Sequence, residues 1–459
     1  MQREQLGSRL GFILLSAGCA IGVGNVWKFP WMVGQYGGGA FVLFYILFLI
    51  ILGLPIMTME FAVGRASQKS PVQAYQALEK PGSKWHIHGY LAMIGNYLLM
   101  MFYTTVCGWM LHYFYLTASG KFVGADTEQV GAVFGEMLSQ PGVMAGWMVV
   151  VVVVGFAINS FGLQGGLERV TKVMMIALLA IMVLLAINSV LTEGAGEGLK
   201  FYLIPNLENM KEAGIINVIV GAMNQSFFTL SLGIGAMAIF GSYIGKGRAL
   251  MGEAVSVAIL DTFVAFTAGL IIFPACFAFG VSPDSGPNLI FVTLPNIFNH
   301  MPMGRLWGSL FFVFMAFAAF STVLAVFENI MSCCMDLTGA SRKKVALFNT
   351  VLVIVLSIPC VLGFNVLSGF TPFGPGSNVL DLEDFLVSNI WLPLGSLVYL
   401  LFCTTRYGWG WKNFKEEANE GGGLKVKDGI RFYVSYILPV IVLVIFVLGI
   451  KDKVMLLFS

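Results

Sequence analysis

The chain has 459 residues, of which 58% are hydrophobic and only 11% are charged, and its formal net charge is +2. Soluble domains carry about a quarter charged residues, so this composition excludes an ordinary soluble protein and indicates a polytopic membrane protein. The near-neutral charge and the lack of basic runs give no sign of a nucleic-acid partner. No nucleophile–base pair, metal cluster or phosphate-binding loop is visible, so an enzyme is not expected. The seven cysteines lie in apolar segments and are predicted to be small buried hydrophobic residues.

Apolar runs bounded by charges or by Gly/Pro clusters predict about eleven membrane-spanning helices in an all-α fold. The predicted spans lie near residues 10–35, 39–63, 88–117, 143–162, 170–191, 214–242, 250–279, 304–335, 344–363, 379–403 and 432–450. Most Lys and Arg residues fall in the loops on the side of the N-terminus. The positive-inside rule therefore predicts a cytoplasmic N-terminus in a multi-pass protein of the cell (inner) membrane, surrounded by lipid. An odd number of spans then places the C-terminus outside, in the extracellular or periplasmic space.

The first predicted span is interrupted at mid-depth by the stretch GCAIGVGN at residues 18–25. Glycine costs about 1 kcal/mol relative to alanine inside a helix. In lipid, every backbone group that a break sets free must find another partner. A break at this depth is typical of a transporter site in which loosened backbone binds an ion or a solute. The alternative is that the small residues only let helices pack closely.

The sixth predicted span has a similar interruption, NQSFFTLSLGIG at residues 224–235, which mixes amides, hydroxyls and glycines into an apolar background. Breaks at matching positions favour the binding-site interpretation over close packing, because they are what an inverted five-plus-five repeat produces. We expect residues 1–191 to form the first repeat (helices 1–5) and residues 214–403 the inverted second repeat (helices 6–10). Residues 432–450 then form an eleventh transmembrane helix.

Several motifs along the chain resemble the neurotransmitter:sodium symporter family, in its bacterial amino-acid transporter branch. They are GVGNVWKFP at residues 22–30, GGGAF at 37–41, EFAVGR at 60–65, FFTLSLG at 227–233 and FST at 320–322. The resemblance covers nearly the whole chain. Within the family, the sequence is similar to that of the bacterial leucine transporter. It implies broken helices 1 and 6, and uptake of a small molecule together with Na⁺.

The resemblance also implies two sodium sites built from oxygen atoms, which hard cations prefer. The first site would use Ala20, Asn25, Thr229 and Asp261. The second would use the carbonyls of Gly18, Ile21 and Ala318 with the hydroxyls of Ser321 and Thr322. Two alternatives stay open: a protonated Asp261 bonded to a neighbouring helix, and back-bonding of the two hydroxyls within their own helix.

Chloride-independent transport is expected from two positions in the seventh span. The leucine transporter has an amide where this chain has Asp261, and chloride-dependent relatives have a serine where it has Ala265. A carboxylate at this depth costs at least about 2.5 kcal/mol without a partner. A cation beside Asp261 would provide that partner, and the carboxylate would supply the negative charge that relatives take from chloride.

Gly22 indicates the class of substrate, because amine-transporting relatives place an aspartate there. Glycine offers no counter-charge, so the substrate should bring its own carboxylate, held by the N–H groups of Val23 and Gly24 and by Tyr103. The amino group would meet carbonyls of Ala20, Phe228 and Thr229. The predicted side-chain pocket is uncharged and indicates a bulky aliphatic or aromatic L-amino acid. It comprises Leu99, Tyr103, Phe228, Ser231, Ile234, Val323 and Val326.

Alternating access requires a closure on each side of the site. Lys28 and Asp384 are expected to form the outer one. The resemblance implies an inner network of Arg3, Asp336, Glu328, Ser242 and Tyr243. The alternative for each charged residue is a solvated helix end. The sequence thus predicts a sodium-coupled symporter, and the alternative function is an amino-acid sensor or leaky channel on the same scaffold.

Overall fold

The computed structural model describes residues 4–281 and 288–458, and all the regular secondary structure in this part is helical. The membrane-spanning elements follow the predicted ranges to within a few residues, except that the fifth begins at Leu163 instead of 170. They are Arg9–Ala20 with Gly24–Gln35, Gly39–Ser67, His86–Ser119, Pro141–Ser160, Leu163–Val190, Ile215–Thr229 with Ala236–Gly241, Leu250–Ala278, Gly304–Thr338, Arg342–Leu362, Val379–Thr404 and Asp428–Lys451. We number these spans one to eleven. Shorter helices cover Pro71–Leu78, Thr127–Ser139, Ala195–Leu203, Leu207–Glu212, Leu294–His300 and Trp411–Ala418.

The first span is broken, as the sequence predicted, and its two halves meet at an angle of 55°. The helix ends at Ala20, and Ile21 takes an extended conformation with φ −69° and ψ 108°. The side chain of Asn25 accepts a hydrogen bond of 3.0 Å from the Gly22 N–H. Gln225 in the sixth span donates 2.8 Å to the Gly24 carbonyl. Hydrogen bonds therefore connect the first break to the sixth span as well as to residues of its own span.

The sixth span is broken between Thr229 and Ala236. Gly233 and Gly235 adopt φ angles of +97° and +74°, which glycine reaches without the cost that a side chain imposes. A Cβ on Gly233 would also collide with the Leu392 carbonyl of the tenth span. Glycine at this position is therefore required both by the backbone turn and by the close approach of another helix.

Side chains of other spans satisfy the backbone groups that the second break sets free. Glu60 in the second span accepts 2.5 Å from the Gly233 N–H and 3.2 Å from the Met237 N–H. Asn96 in the third span donates 2.8 Å to the Ile234 carbonyl. Because a membrane interior offers no water to do this, the break depends on these polar residues.

The eighth span, Gly304–Thr338, forms the centre of the bundle and packs along the third span. All seven cysteines are buried and unpaired, which confirms their predicted role as small core residues. We call the face of the bundle that carries residues 4–8 the N-terminal face, and the other the opposite face. The two breaks lie between these faces.

Candidate binding site between the broken helices

Asp261 is the centre of a polar cluster that joins both breaks. Asn25, just after the first break, donates 2.8 Å to Asp261 Oδ1 and 3.0 Å to Thr229 Oγ1. Thr229 is the last residue before the second break, and its hydroxyl donates 3.1 Å to Asp261 Oδ2. All three side chains are buried. The structure therefore brings together three of the four residues predicted for the first sodium site, and places Ala20 on the adjoining cavity.

Tyr45 in the second span completes this cluster, and sequence reasoning missed it. Its hydroxyl lies 3.4 Å from both Thr229 Oγ1 and Asp261 Oδ2, and its side chain is fully buried. The sequence did contain a signal for this contact, namely a tyrosine within the otherwise apolar stretch AFVLFYILF. A buried phenol usually has a polar partner.

The cluster has the chemistry of a cation site. The hydrogen-bonding partners of Asp261 in the described part of the chain are neutral, and no lysine or arginine within residues 4–281 and 288–458 forms an ion pair with it. An ionised carboxylate buried in this way is costly unless a positive charge compensates it. Carboxylate, amide and hydroxyl oxygens suit a hard monovalent cation. These residues are able to hold Na⁺.

A second group of oxygens lies where the eighth span passes the first break. Thr322 Oγ1 is 3.1 Å from the Ile21 carbonyl and 3.3 Å from the Gly18 carbonyl. Ser321 Oγ is 3.3 Å from the Ile21 carbonyl and 3.0 Å from the Ala318 carbonyl of its own helix. Back-bonding thus describes part of the Ser321 geometry, but Thr322 reaches across to the broken span. The five residues predicted for the second sodium site are together.

A small cavity of about 20 Å³ lies between the breaks, which is room for about one water molecule. No charged side chain of the described residues lines it. Its lining residues are Cys19, Ala20, Gly22, Gly24, Leu99, Tyr103, Phe228, Ser231, Ile234, Thr322, Val387 and Leu392.

Two of the predicted pocket residues do not line this cavity. Val323 and Val326 are buried elsewhere in the eighth span, and the Val323 side chain faces Gly155 in the fourth span. Val387 and Leu392 of the tenth span occupy the lining in their place. The physical reason is that an all-apolar helix in a membrane does not reveal by periodicity which of its faces points inward.

One of the two predicted anion-binding N–H groups has a partner within the protein. The Val23 N–H donates 2.8 Å to the Tyr103 hydroxyl. A Cβ on Gly22 would overlap that hydroxyl and lie 2.5 Å from Thr322 Oγ1. The Tyr103 side chain therefore lies directly against the first break. Gly24 contacts the Phe228 ring in the same way, since an added Cβ would lie 2.8 Å from it.

On the opposite face, Lys28 and Asp384 meet as predicted. Lys28 Nζ is 3.2 Å from Asp384 Oδ2 and 3.3 Å from Ser388 Oγ, and it lies 4.0 Å from the centre of the Phe228 ring. A second cavity, of about 210 Å³, lies beyond Tyr103 and Phe228 and includes Val23. These contacts separate the central cavity from the opposite face.

On the N-terminal face, Glu328 is the hub of the closure. The Tyr243 hydroxyl donates 2.6 Å to Glu328, and Arg342 Nη1 lies 2.7 Å from its other oxygen. Asp336 accepts 2.8 Å from the Ser70 N–H. The predicted Arg3 lies outside the described residues.

Sequence reasoning missed Arg342 as the cation of this closure, because in the sequence it was counted only as a basic loop residue. The remaining predicted member, Ser242, donates 2.7 Å to the Ile239 carbonyl in its own helix. The Ser242 hydroxyl therefore has a local partner at the end of the sixth span.

Comparison with known proteins gives one consistent result. The family model described as the sodium:neurotransmitter symporter family matches residues 3–131 and 127–458. An uncharacterized sodium-dependent transporter of Bacillus subtilis (strain 168), YhdH, is 37% identical over 87% of this chain and 87% of its own length. Another from Haemophilus influenzae is 30% identical over 97% of this chain and 98% of its own length. The crystal structure of MhsT in complex with L-phenylalanine superposes with a TM-score of 0.87 at 36% identity, covering 97% of this chain and 99% of that one.

Proposed function

Because the chain belongs to the sodium:neurotransmitter symporter family, we propose that this sodium-dependent transporter imports a bulky aliphatic or aromatic L-amino acid by alternating access. The observation that carries the proposal is the Asp261 cluster, which joins both helix breaks beside an uncharged cavity. The related MhsT, crystallised with L-phenylalanine, supports a hydrophobic substrate. The protein is a multi-pass membrane protein, and its family is one of transporters, not of enzymes.

Two sodium ions are proposed to bind per cycle. The first site consists of Ala20, Asn25, Thr229 and Asp261, to which we add the Tyr45 hydroxyl as a positioning group. The second consists of Gly18, Ile21, Ala318, Ser321 and Thr322. The buried charge of Asp261 supports chloride independence, and so does the fully buried apolar Ala265 one turn later.

The substrate proposal rests on charge and on shape. The described residues that line the cavity include no acidic or basic side chain, so a charged amino-acid side chain would be buried without a partner there. The hydroxyls of Tyr103 and Thr322 leave no room for a carboxylate side chain at position 22. This supports a substrate that carries its own carboxylate. The cavity must widen to admit such a molecule, by movement of Tyr103 and Phe228 away from the break.

The orientation and the repeats are proposed from the charge pattern and the breaks. We place the N-terminal face in the cytoplasm of the cell membrane and the C-terminus outside, following the basic loops. Residues 1–191 and 214–403 would be the two inverted repeats, with 432–450 as the appended helix. Lys28 and Asp384 then form the outer closure, and Glu328, Tyr243 and Arg342 the inner one.

A thermal-shift screen of the purified transporter with all twenty amino acids, in Na⁺ or in K⁺, tests the substrate and the ion together. A ligand that binds only the folded form raises its stability. We expect stabilisation by Leu, Ile, Met, Phe and Trp in Na⁺ only, and none by Asp or Lys. Shifts that are equal in Na⁺ and K⁺ would contradict the proposal.

Uptake into proteoliposomes then separates a transporter from a sensor or channel. A sodium gradient should drive accumulation of the amino acid above its external concentration, and replacing chloride by gluconate should leave the rate unchanged. A sensor binds without uptake, and a channel does not accumulate solute beyond equilibrium. Loss of uptake in gluconate would refute chloride independence alone.

A further inference from the structure

Six acidic side chains are buried in the described part of the chain, and five of them have a clear partner. Glu168, Glu253 and Glu328 pair with Lys172, Arg9 and Arg342. Glu60 accepts backbone N–H groups, and Asp261 belongs to the polar cluster between the breaks. The sixth, Glu383, is only 3% exposed, and among the described residues neither of its carboxyl oxygens accepts a hydrogen bond from an N–H or O–H group; the weakly donating Cys360 thiol is its one polar neighbour.

Among the side chains that the structure describes, none supplies a positive charge beside Glu383. It lies on the helix Val379–Phe385 at the start of the tenth span, which packs against the third and ninth spans. From the ninth span the Cys360 thiol lies beside it, and from the third span Thr105 lies beside Cys360. Both neighbours are fully buried and neutral.

The charged groups nearby are engaged elsewhere. On the same helix, Asp384 pairs with Lys28 of the first span at 3.2 Å. Asp381 accepts from the Asn378 N–H at 2.9 Å and faces Lys453, whose ammonium lies 4.6 Å from the Phe373 ring. These acids add negative charge near Glu383, and within the described part of the chain neither Lys28 nor Lys453 forms an ion pair with it. An ionised Glu383 would be a buried charge without compensation, which a protein interior disfavours.

We propose that Glu383 is a proton-binding site coupled to the outer closure. It holds a proton while Lys28 and Asp384 are paired, and it releases that proton to water when the start of the tenth span moves away. The step is a simple acid dissociation, in which the carboxyl O–H bond breaks and the proton passes to solvent.

The coupling follows from the position of Glu383 next to Asp384 in the sequence. The two carboxyls project from one short helix, Asp384 toward the first span and Glu383 toward the third and ninth. Movement that separates Lys28 from Asp384 therefore also displaces Glu383 from its apolar surroundings. Since the closed form binds the proton more tightly than the open form, acid favours closure and alkali favours opening.

Infrared spectroscopy of the purified full-length transporter reads the protonation directly, without substrate or transport. In saturating Na⁺ at neutral pH, wild type should show the C=O stretching band of a protonated carboxyl, and Glu383→Gln should lose it. Glu197→Gln, at an exposed ion pair, is the matched control and should keep it. An equal band in wild type and Glu383→Gln would overturn the proposal.

Two further variants keep the test valid if Glu383→Gln does not fold. Cys360→Ser places a stronger hydrogen-bond donor beside the carboxyl and should shift the band to lower frequency. Lys28→Met weakens the outer closure and should diminish the band, because the carboxyl is then hydrated more often. A band that neither variant changes would refute both the assignment and the coupling. These readouts also leave the choice of substrate untouched, so either proposal is able to fail alone.

Discussion

Asp261 has no exposed surface, and its hydrogen-bonding partners Asn25, Thr229 and Tyr45 are all uncharged. The attraction between two unit charges about 4 Å apart is about 4 kcal/mol at the effective dielectric of a protein site. Losing a third of that energy already lowers the binding affinity about tenfold. Asp261→Asn should therefore weaken Na⁺ binding at least about tenfold. A Na⁺ titration of amino-acid-induced thermal stabilisation measures this.

Glu197→Gln serves as the control for Asp261→Asn, because Glu197 lies at the surface in an exposed pair with Lys200. It should bind Na⁺ as wild type does. An Asp261→Asn protein with unchanged sodium affinity would show that Asp261 is not an ion ligand. The protonated form, bonded to its neighbours, would then describe the residue better.

Gly22 is tightly enclosed. A methyl group there would overlap the Tyr103 hydroxyl and lie 2.5 Å from Thr322 Oγ1, so both the Tyr103–Val23 contact and the second sodium site would shift. Gly22→Ala should reduce amino-acid affinity at least about tenfold, since a misplacement of about 1 Å in a binding site costs this much or more. Equilibrium binding of labelled L-phenylalanine measures it.

Gly146→Ala is the matched glycine control. Gly146 lies in the fourth span, and nothing stands within 4 Å of an added Cβ. This substitution should leave affinity unchanged and add about 1 kcal/mol of helix stability. Equal affinities for Gly22→Ala and Gly146→Ala would mean that the first break does not form the substrate site.

Among the elements, the broken sixth span depends on Glu60. Its two oxygens accept from the Gly233 and Met237 N–H groups. Glu60→Gln replaces one acceptor by an NH₂ group, so a donor then faces a donor. An unsatisfied buried group costs about 1–3 kcal/mol. We expect a lower melting temperature together with weaker amino-acid binding, measured by thermal denaturation and by equilibrium binding.

Glu253→Gln is the comparison for Glu60→Gln, because Glu253 is also buried but pairs with a half-exposed Arg9 side chain. It should lower the melting temperature without weakening binding. If Glu60→Gln lowers stability alone, Glu60 supports the fold and does not position the break.

The sequence predicted the elements well and the side-chain neighbours only in part. Glycines at mid-depth mark the breaks directly, since a continuous helix does not require them. The start of the fifth span was placed too late because Gly162, Gly165 and Gly166 look like a loop, whereas a π-helical turn begins at Leu163. The pairing of Arg342 with Glu328 was not visible, because it depends on how the eighth and ninth spans meet.

The same limit explains the pocket. Val323 was assigned to it, but the tenth span supplies Val387 and Leu392 instead. In a membrane protein the lipid-facing and the protein-facing sides of a helix are both apolar, so composition does not distinguish them. Polar residues such as Asn25, Thr229 and Asp261 do reveal their direction, and the structure brings them together as expected.

Across the whole molecule, the two closures differ in strength. The Lys28 and Asp384 side chains are 23% and 32% exposed, and such a pair contributes less than about 1 kcal/mol. Lys28→Met should therefore speed amino-acid dissociation about fivefold at most. Lys28→Arg should slow it, because the guanidinium binds a carboxylate through two parallel hydrogen bonds. Release of labelled substrate in Na⁺ measures both, with the exposed Lys200→Met as control.

The closure at the N-terminal face is buried, since Glu328 is fully buried and Arg342 is 13% exposed. Removing one partner of a buried pair costs about 3–5 kcal/mol, because the other charge is left uncompensated. Arg342→Met should thus shift the equilibrium strongly toward opening at that face. Hydrogen–deuterium exchange at residues 4–8 should increase well beyond that in Lys28→Met. Equal exchange in the two variants would contradict this difference between the closures.

The burial of all seven cysteines has a practical consequence. Water-soluble maleimide dyes react with exposed thiols, so the native chain should take up little label in its closed form. A reporter thiol introduced at an exposed position then becomes the main target of the dye, without prior removal of the native ones. Fluorescence distances between two such dyes would follow the opening of each face in the otherwise unmodified protein.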